Sequence, residues 1–296
     1  MSASGILLLD KPAGISSNAA LQRVRRLFGG CKAGHAGSLD PLATGMLPLC
    51  LGEATKIAGE VLSHRKRYRF TLALGEATAT GDREGAVSAQ APVPADWQER
   101  LPAALQAFLG PGQQIPPMYS ALKRDGQPLY RLARAGVTVE RAARAIEILE
   151  LAAMGCTDAQ VELEVLCSKG TYVRTLAEDI ARALGTCGHV AALRRTWVEP
   201  FEREPMRSLE ELTSADEQAR TGMLVPTDRP LQHLAAVSLE AWQSQRITHG
   251  QAVVLVRSPP PGRVRLYDAQ KRFIGLGESD GRGEVRPRRL FTEAVY

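Results

Sequence analysis

Hydrophobic and polar positions alternate most clearly in two stretches. Tyr68, Phe70, Leu72 and Leu74 are interleaved with Arg67, Arg69, Thr71 and Ala73. That period-two pattern predicts a strand with one buried face, closed by Gly75. Val161, Leu163, Val165 and Cys167 alternate with Glu162, Glu164 and Leu166 in the same way, and that strand is expected to end at Ser168-Lys169-Gly170-Thr171. Gly5 to Leu9 is apolar without alternation and reads as a short buried strand, which Asp10-Lys11-Pro12-Ala13-Gly14 breaks. Helical spacing follows at once. Ser16 and Ser17 offer an N-cap, Leu21, Val24 and Leu27/Phe28 recur along one face, and Gly29-Gly30 stops the helix. Further helices are expected over Glu53–Leu62, over Trp97–Leu109 and from about Tyr172 to Leu184, with Gly185 as the stop of the last. Ser208 to Glu211 fits a capping box.

Two regions break this texture. Residues 111–140 are rich in Pro, Gly, Lys, Arg and Tyr, and read as an inserted, partly mobile basic arm between ordinary strand patterns. After Pro226 and Pro230, short strands at Val253–Val256, Val264–Tyr267, Phe273–Gly277 and Glu284–Phe291 alternate with Gly/Pro turns, the pattern of a small all-β unit.

The chain has 296 residues, 44% hydrophobic and 23% charged, which is enough for a sizeable core and argues against wholesale disorder. No apolar run approaches the roughly 20 residues that span a bilayer. The start lacks a basic segment and its apolar run covers only Ile6 to Leu9, so no signal peptide is expected. Five scattered cysteines suggest reduced thiols in a cytoplasm. Cys31 with His35, and Cys187 with His189, are the close Cys/His pairs, and neither completes a zinc-type ligand set, so no metal site is expected. Net charge is +5, of which +4 lies in residues 257–296, with nine Lys/Arg against five Asp/Glu. A basic, strand-patterned C-terminus suggests a polyanion such as a nucleic acid; a solvated basic surface is the plainer alternative.

Three residues raise questions of chemistry. Asp40 is the lone carboxylate of the stretch GHAGSLDPLATGMLPLC, set between a tight polar loop and an apolar run. Asp-Pro is a common turn dipeptide, which accounts for it without function. An acid at the mouth of an apolar pocket, on a loop held by a scaffold, is the functional reading. Arg174 falls in the first turn of its helix, where the macrodipole disfavours a cation. It needs an anion, for which Asp40 and an RNA phosphate are both candidates; otherwise it extends to solvent. Paired with Asp40, its fork would orient the carboxylate and lower its pKa, keeping the anion a nucleophile needs. Tyr68 begins its strand after HRKR, with one end toward charge and the other toward core. It is either an ordinary amphipathic aromatic or a phenol placed beside a reacting base.

The segments GILLLDKPAGISS, AGHAGSLDPLATGMLPLCLGEATK, KRYRF, IPPMYSALK, CSKGTYVRTLAEDIARALG and HVAALRR stand in this order along the chain, and in this they resemble the TruB-type tRNA pseudouridine synthases from Gly5 to about Leu290. The resemblance implies an α+β fold: a mixed, mainly antiparallel sheet flanked by helices, over residues 1–232, with a small PUA-type barrel over 233–296. It implies isomerisation of the uridine at position 55 in the tRNA T loop, without cofactor or metal, by a cytoplasmic monomer whose partner is the T arm. Asp40 matches the family's catalytic aspartate, and Tyr68 and Arg174 its active-site tyrosine and arginine. Leu193 matches the apolar base-pocket residue, and His35 the histidine that helps hold the opened loop. Lys11, with Pro12, matches the motif beneath the active loop, and RNA-binding roles are expected for Lys11, Lys123 and Lys169. A synthase of the same superfamily acting on another uridine, and a non-catalytic tRNA-binding or tRNA-folding protein, are the alternatives. One acid suffices for an isomerisation, since neither hydrolysis nor the paired carboxylates of glycosidases are required.

Overall fold

The computed structural model describes residues 3–124 and 126–295, the last four by backbone alone. Asp125, within the expected arm, and Tyr296, at the end of the expected C-terminal unit, lie outside the described residues. The chain opens with β1 (Gly5–Lys11), α1 (Ser17–Leu27), β2 (Ala33–His35) and β3 (Thr44–Leu51). A 3-10 turn at Gly52–Ile57 and α2 (Ala58–Leu62) lead to β4 (Lys66–Leu74). A ribbon of β5 (Glu76–Thr78) and β6 (Val87–Gln90) precedes α3 (Trp97–Gln106) and β7 (Gly110–Gln114). Next come the small ribbon β8 (Lys123–Arg124) and β9 (Gln127–Pro128), α4 (Leu129–Arg134), β10 (Arg144–Cys156), β11 (Gln160–Cys167), α5 (Val173–Ala183) and β12 (Gly188–Val198). After α6 (Leu209–Ser214) and α7 (Glu217–Gly222), the chain closes with β13 (Ala235–Ser238), α8 (Ala241–Thr248), β14 (Val253–Val254), β15 (Gly262–Tyr267), β16 (Phe273–Ser279) and β17 (Glu284–Val295).

The main sheet runs β1-β3-β12-β4-β11-β10-β7, with β2 also on β3. Among the described residues only its β3–β12 pair is parallel, so the expected mixed, mainly antiparallel sheet is observed. Caps follow the sequence. Ser16 Oγ accepts the Ala19 N–H at the head of α1, and Ser208 and Glu211 form the expected capping box of α6.

Two local expectations change. Glu53–Leu62 is a 3-10 turn followed by one short helix rather than a continuous helix. The arm does not begin at 111, because Gly110–Gln114 is an edge strand paired with Arg144–Ile148. Its Gly/Pro composition reads as loop, yet proline is tolerated on a sheet edge, where one row of N–H groups has no partner to meet.

The apolar run of β1 is buried on both faces, and the two faces meet different partners. Leu7 and Leu9, with Leu47, Leu49 and Leu51 of β3, pack into the cluster that holds α1, α3 and α5. Ile6 and Leu8, with Met46 and Cys50, pack against Val198, Phe201, Val225 and Leu231, and against Phe273, Leu276 and Phe291 of the C-terminal sheet. That sheet has the order β13-β15-β16-β17-β14. It therefore shares a core with the back of the strand that follows the Asp40 loop.

Basic residues of the tail reinforce this seam. Arg263 pairs with Glu60 at 2.9 Å, Arg265 with Asp228 at 3.6 Å, and Arg289 donates to Lys56 O at 2.5 Å. Arg272, Arg286 and Arg288 pair with Asp268, Glu284 and Glu278 of their own unit. Arg263 and Arg265 thus set two of the four excess positive charges that suggested a polyanion partner against acids outside the tail, while Arg286 and Arg288 stay exposed.

Candidate active site

Asp40 sits in the loop between β2 and β3, and the loop is braced from four directions. Buried Ser17, at the head of α1, accepts the Leu39 N–H at 2.7 Å and donates to Leu39 O at 2.9 Å. Pro41 O accepts the Gly14 N–H at 2.9 Å and Lys11 Nζ at 3.3 Å. Arg195, only 1% exposed, donates from Nε to Met46 O at 2.6 Å and from Nη2 to Gly37 O at 3.1 Å, so it ties the two flanks of the loop together. Gly45 lets β12 come this close. Its φ is +98°, and a Cβ there would lie 2.2 Å from Arg195 O. With an interior of interlocking hydrogen bonds behind it, the carboxylate is presented on a fixed platform.

Arg174 reaches Asp40 from the first turn of α5. Its Nε lies 3.0 Å from Asp40 Oδ2, and Nη2 lies 3.4 Å from Oδ1. The rest of the guanidinium is anchored. Nη1 donates to Thr80 O at 2.7 Å, Nη2 to Tyr119 O at 2.6 Å, and Asp82 Oδ2 lies 3.7 Å from Nη1. The Arg174 side chain is 6% exposed, while Asp40 keeps 35% of its side-chain surface open. A buried cation therefore holds a carboxylate that still faces outward. Asp40, one of the anions expected to satisfy Arg174, is in place beside it.

The expected electrostatic consequence is corrected. Burial pushes the Asp40 carboxyl above its ordinary value; Arg174 opposes this, Asp82 adds to it, and Lys11 opposes it. Desolvation disfavours the anion more than the fork favours it. Pairing and orientation hold as expected; a net lowering does not.

Tyr68 is 9% exposed on β4, opposite Arg195 in register. Burial pushes its phenol upward, opposed by Arg195, with Asp40 among the charges acting on it, so it stays neutral at ordinary pH. Leu193, 8% exposed, belongs to the same apolar cluster as Tyr68, Leu39 and Leu42. His35 ends β2 just before the loop. Burial, and then Arg195, push its imidazole below the usual value, and its buried Nδ1 lacks a partner among the described residues. Lys123 and Lys169 are exposed, on β8 and on the turn before α5.

Lys11 departs from the expectation of an RNA contact. It is fully buried, and its Nζ serves Pro12 O, Ile15 O and Pro41 O, so it supports the loop from beneath. Burial lowers its pKa to about 8, which leaves it mostly charged at neutral pH. Thr80, Asp82, Tyr119 and Arg195 complete the site and were not anticipated. Thr80 and Tyr119 act through backbone carbonyls, which leave no trace in a sequence, and Asp82 was hidden in a Gly/Asp-rich loop. Arg195 is two residues beyond Leu193 in HVAALRR, and that proximity was its one signal. Among the described residues, no group of three or more His, Cys, Asp or Glu side chains is arranged to hold a metal ion, and no helix is long and apolar enough to cross a membrane.

This mixed sheet, with helices packed on it and a curled β unit behind, is the pseudouridine synthase fold. It superposes on a Cbf5-Nop10-Gar1 complex with a TM-score of 0.71 at 23% identity, over 99% of this chain and 85% of that one. It also superposes on an H/ACA RNP bound to a substrate RNA containing 2'-deoxyuridine, with a TM-score of 0.67 at 22% identity, over 100% and 86%. Sequence narrows the class: the chain belongs to the TruB family of pseudouridylate synthases. The model of that family's N-terminal domain matches residues 25–173. The tRNA pseudouridylate synthase B C-terminal domain matches 174–232, and the pseudouridine synthase II TruB C-terminal model matches 235–291. Proteins named tRNA pseudouridine synthase B are similar over nearly their whole length. The one from Hydrogenovibrio crunogenus is 49% identical over 97% of this chain and 94% of its own. The one from Pseudomonas putida strain F1 is 50% identical over 97% and 95%. The chain is accordingly an enzyme, an isomerase of RNA uridines.

Proposed function

We propose that this enzyme converts the uridine at position 55 in the T loop of tRNA to pseudouridine, with Asp40 as nucleophile. The N-glycosidic bond breaks, the uracil turns, a C–C glycosidic bond forms to its C5, and the C5 proton is lost while N1 gains one. Atoms balance without an external reactant. The observation that carries this reading is the outward-facing Asp40 carboxylate gripped by the buried Arg174. A carboxylate so held can add to the sugar or the base, or assist departure of the uracil, and be released at the end. Tyr68, as a neutral phenol, lies beside the reacting base, and Leu193 forms the apolar wall of its pocket.

The target base must leave its stack, at a cost of a few kcal/mol. Aromatic and apolar contacts inside, with His35, Lys123 and Lys169 on the surrounding RNA, offset that cost. We assign residues 1–232 to catalysis and 233–296 to a PUA-like RNA-binding unit, and read the enzyme as a monomer of the cytoplasm that uses no cofactor. Incubation with unmodified tRNA, followed by position-resolved detection of pseudouridine, tests the assignment. Conversion confined to position 55 is expected, and conversion at another uridine alone would overturn the T-loop assignment.

A further inference from the structure

Helix α5 presents Arg174 to Asp40, yet it has no side-chain cap of its own. Its N-cap is Tyr172, whose side chain makes no capping hydrogen bond. The first N–H groups of a helix have no intrahelical partner, so something else must hold this end. The partner comes from 58 residues away. Gln114 Oε1 accepts the Tyr172 N–H at 2.9 Å, and Gln114 Nε2 donates to Tyr172 O at 3.2 Å. Gln114 is 5% exposed and is the last residue of β7, paired with Arg144 at the point where the arm leaves the sheet. Five residues on, Tyr119 O accepts Arg174 Nη2 at 2.6 Å. The root of the arm is thus fastened to α5 twice: by the Gln114 amide on its N-cap backbone, and by a carbonyl on its catalytic-site arginine.

We propose that Gln114 is a positioning residue for the Asp40–Arg174 pair, fixing the first turn of α5 against the root of the arm. This rests on the reading of Asp40 and Arg174 given under Proposed function. The Gln114 amide is neutral and its hydrogen bonds go to backbone alone. Removing it changes no charge near Asp40, whose charged and titratable surroundings are Arg174 of α5, Asp82 of the ribbon loop, Lys11 at the end of β1, Tyr68 of β4 and Tyr172 at the head of α5. A change in the titration of Asp40 in a Gln114 variant must therefore travel through the placement of Arg174. Looser placement gives Asp40 less compensation and moves the acid limb of the rate profile to higher pH.

The test is single-turnover conversion of saturating unmodified tRNA across pH, with tRNA affinity and a thermal melt on the same proteins. Wild type is measured first. If it forms no pseudouridine, the functional reading falls and this proposal with it. Gln114→Met matches the length of glutamine and lacks both hydrogen bonds. It is expected to slow conversion roughly ten- to a hundredfold, with affinity within about threefold and the acid limb moved to higher pH. If the Met variant loses its cooperative melt, Gln114→Asn, one carbon short, carries the same readouts. An active wild type beside a folded neutral variant that converts tRNA within twofold, or one that is slower with an unmoved acid limb, would overturn the positioning role alone.

Discussion

Replacing Arg174 by lysine keeps the charge and removes the fork. The guanidinium now serves four acceptors at once: both Asp40 oxygens, at 3.0 and 3.4 Å, Thr80 O at 2.7 Å and Tyr119 O at 2.6 Å. A shorter ammonium cannot stand at Nε and at both Nη positions together. If it follows Asp40, the two carbonyls lose charged donors in a site where the side chain is 6% exposed. Hydrogen bonds to charged groups contribute about 1.5–3 kcal/mol each. Part of the loss appears as stability and part as misplacement of Asp40. A share of about 3 kcal/mol in the transition state corresponds to a rate loss of roughly a hundredfold or more. The assay is single-turnover pseudouridine formation at saturating unmodified tRNA, with affinity measured separately. Affinity should change only a few-fold, because Arg174 faces Asp40 and backbone rather than solvent. A lysine variant within threefold of wild type in rate, with an unchanged melt, would refute the claim that the fork matters.

Three further outcomes follow from the same geometry. The proposed nucleophilic role needs Asp40 as the anion, and burial raises its pKa above the ordinary 3.8, so activity should fall as pH drops through that raised value; a rate profile still flat down to pH 3.8 would contradict the raised value. Deleting residues 233–296 should cost the whole chain stability rather than merely tRNA affinity, because it uncovers Phe201, Leu231, Ile6 and Leu8, at about 1.5–3 kcal/mol per large side chain; an unchanged thermal midpoint for the truncated chain would show that the shared core contributes little. Arg286→Ala with Arg288→Ala is the gentler probe of the tail, expected to reduce the slope of log affinity against log salt by roughly 0.7–0.9 for each phosphate no longer neutralised, and an equal slope would mean this face does not touch RNA.

The parts of this site legible in the sequence are those whose residue type is itself unusual for its place. A lone aspartate before proline at the edge of an apolar run, and an arginine in the first turn of a helix, each pointed to a partner, and the structure pairs them. The Tyr68 strand was readable from its alternation and β1 from its unbroken apolar run, because burial of one face imposes a period on side chains and burial of both faces removes it. What could not be read was set by packing between distant segments. The direction of the Asp40 titration depends on how fully the loop is walled in, and no local pattern encodes that. The anchoring of Arg174 depends on the carbonyls of Thr80 and Tyr119, and any residue type supplies a carbonyl. Gly110–Gln114 looked like loop because its composition is that of a turn, while its pairing with β10 belongs to the sheet. The basic tail was visible as charge, but its pairing with Glu60 and Asp228 needed the seam between the two sheets.

The central claim, that Asp40 is the nucleophile on a platform that binds RNA without it, is tested most directly by Asp40→Asn. Asparagine keeps the shape of the side chain and one of the two acceptor oxygens that Arg174 uses, and lacks the charge. Binding of unmodified tRNA and single-turnover conversion would be measured on the same preparation, with pseudouridine mapped by position. Affinity within a few-fold of wild type, together with no detectable pseudouridine, is the predicted result. Conversion at position 55 at more than a trace rate would contradict the account.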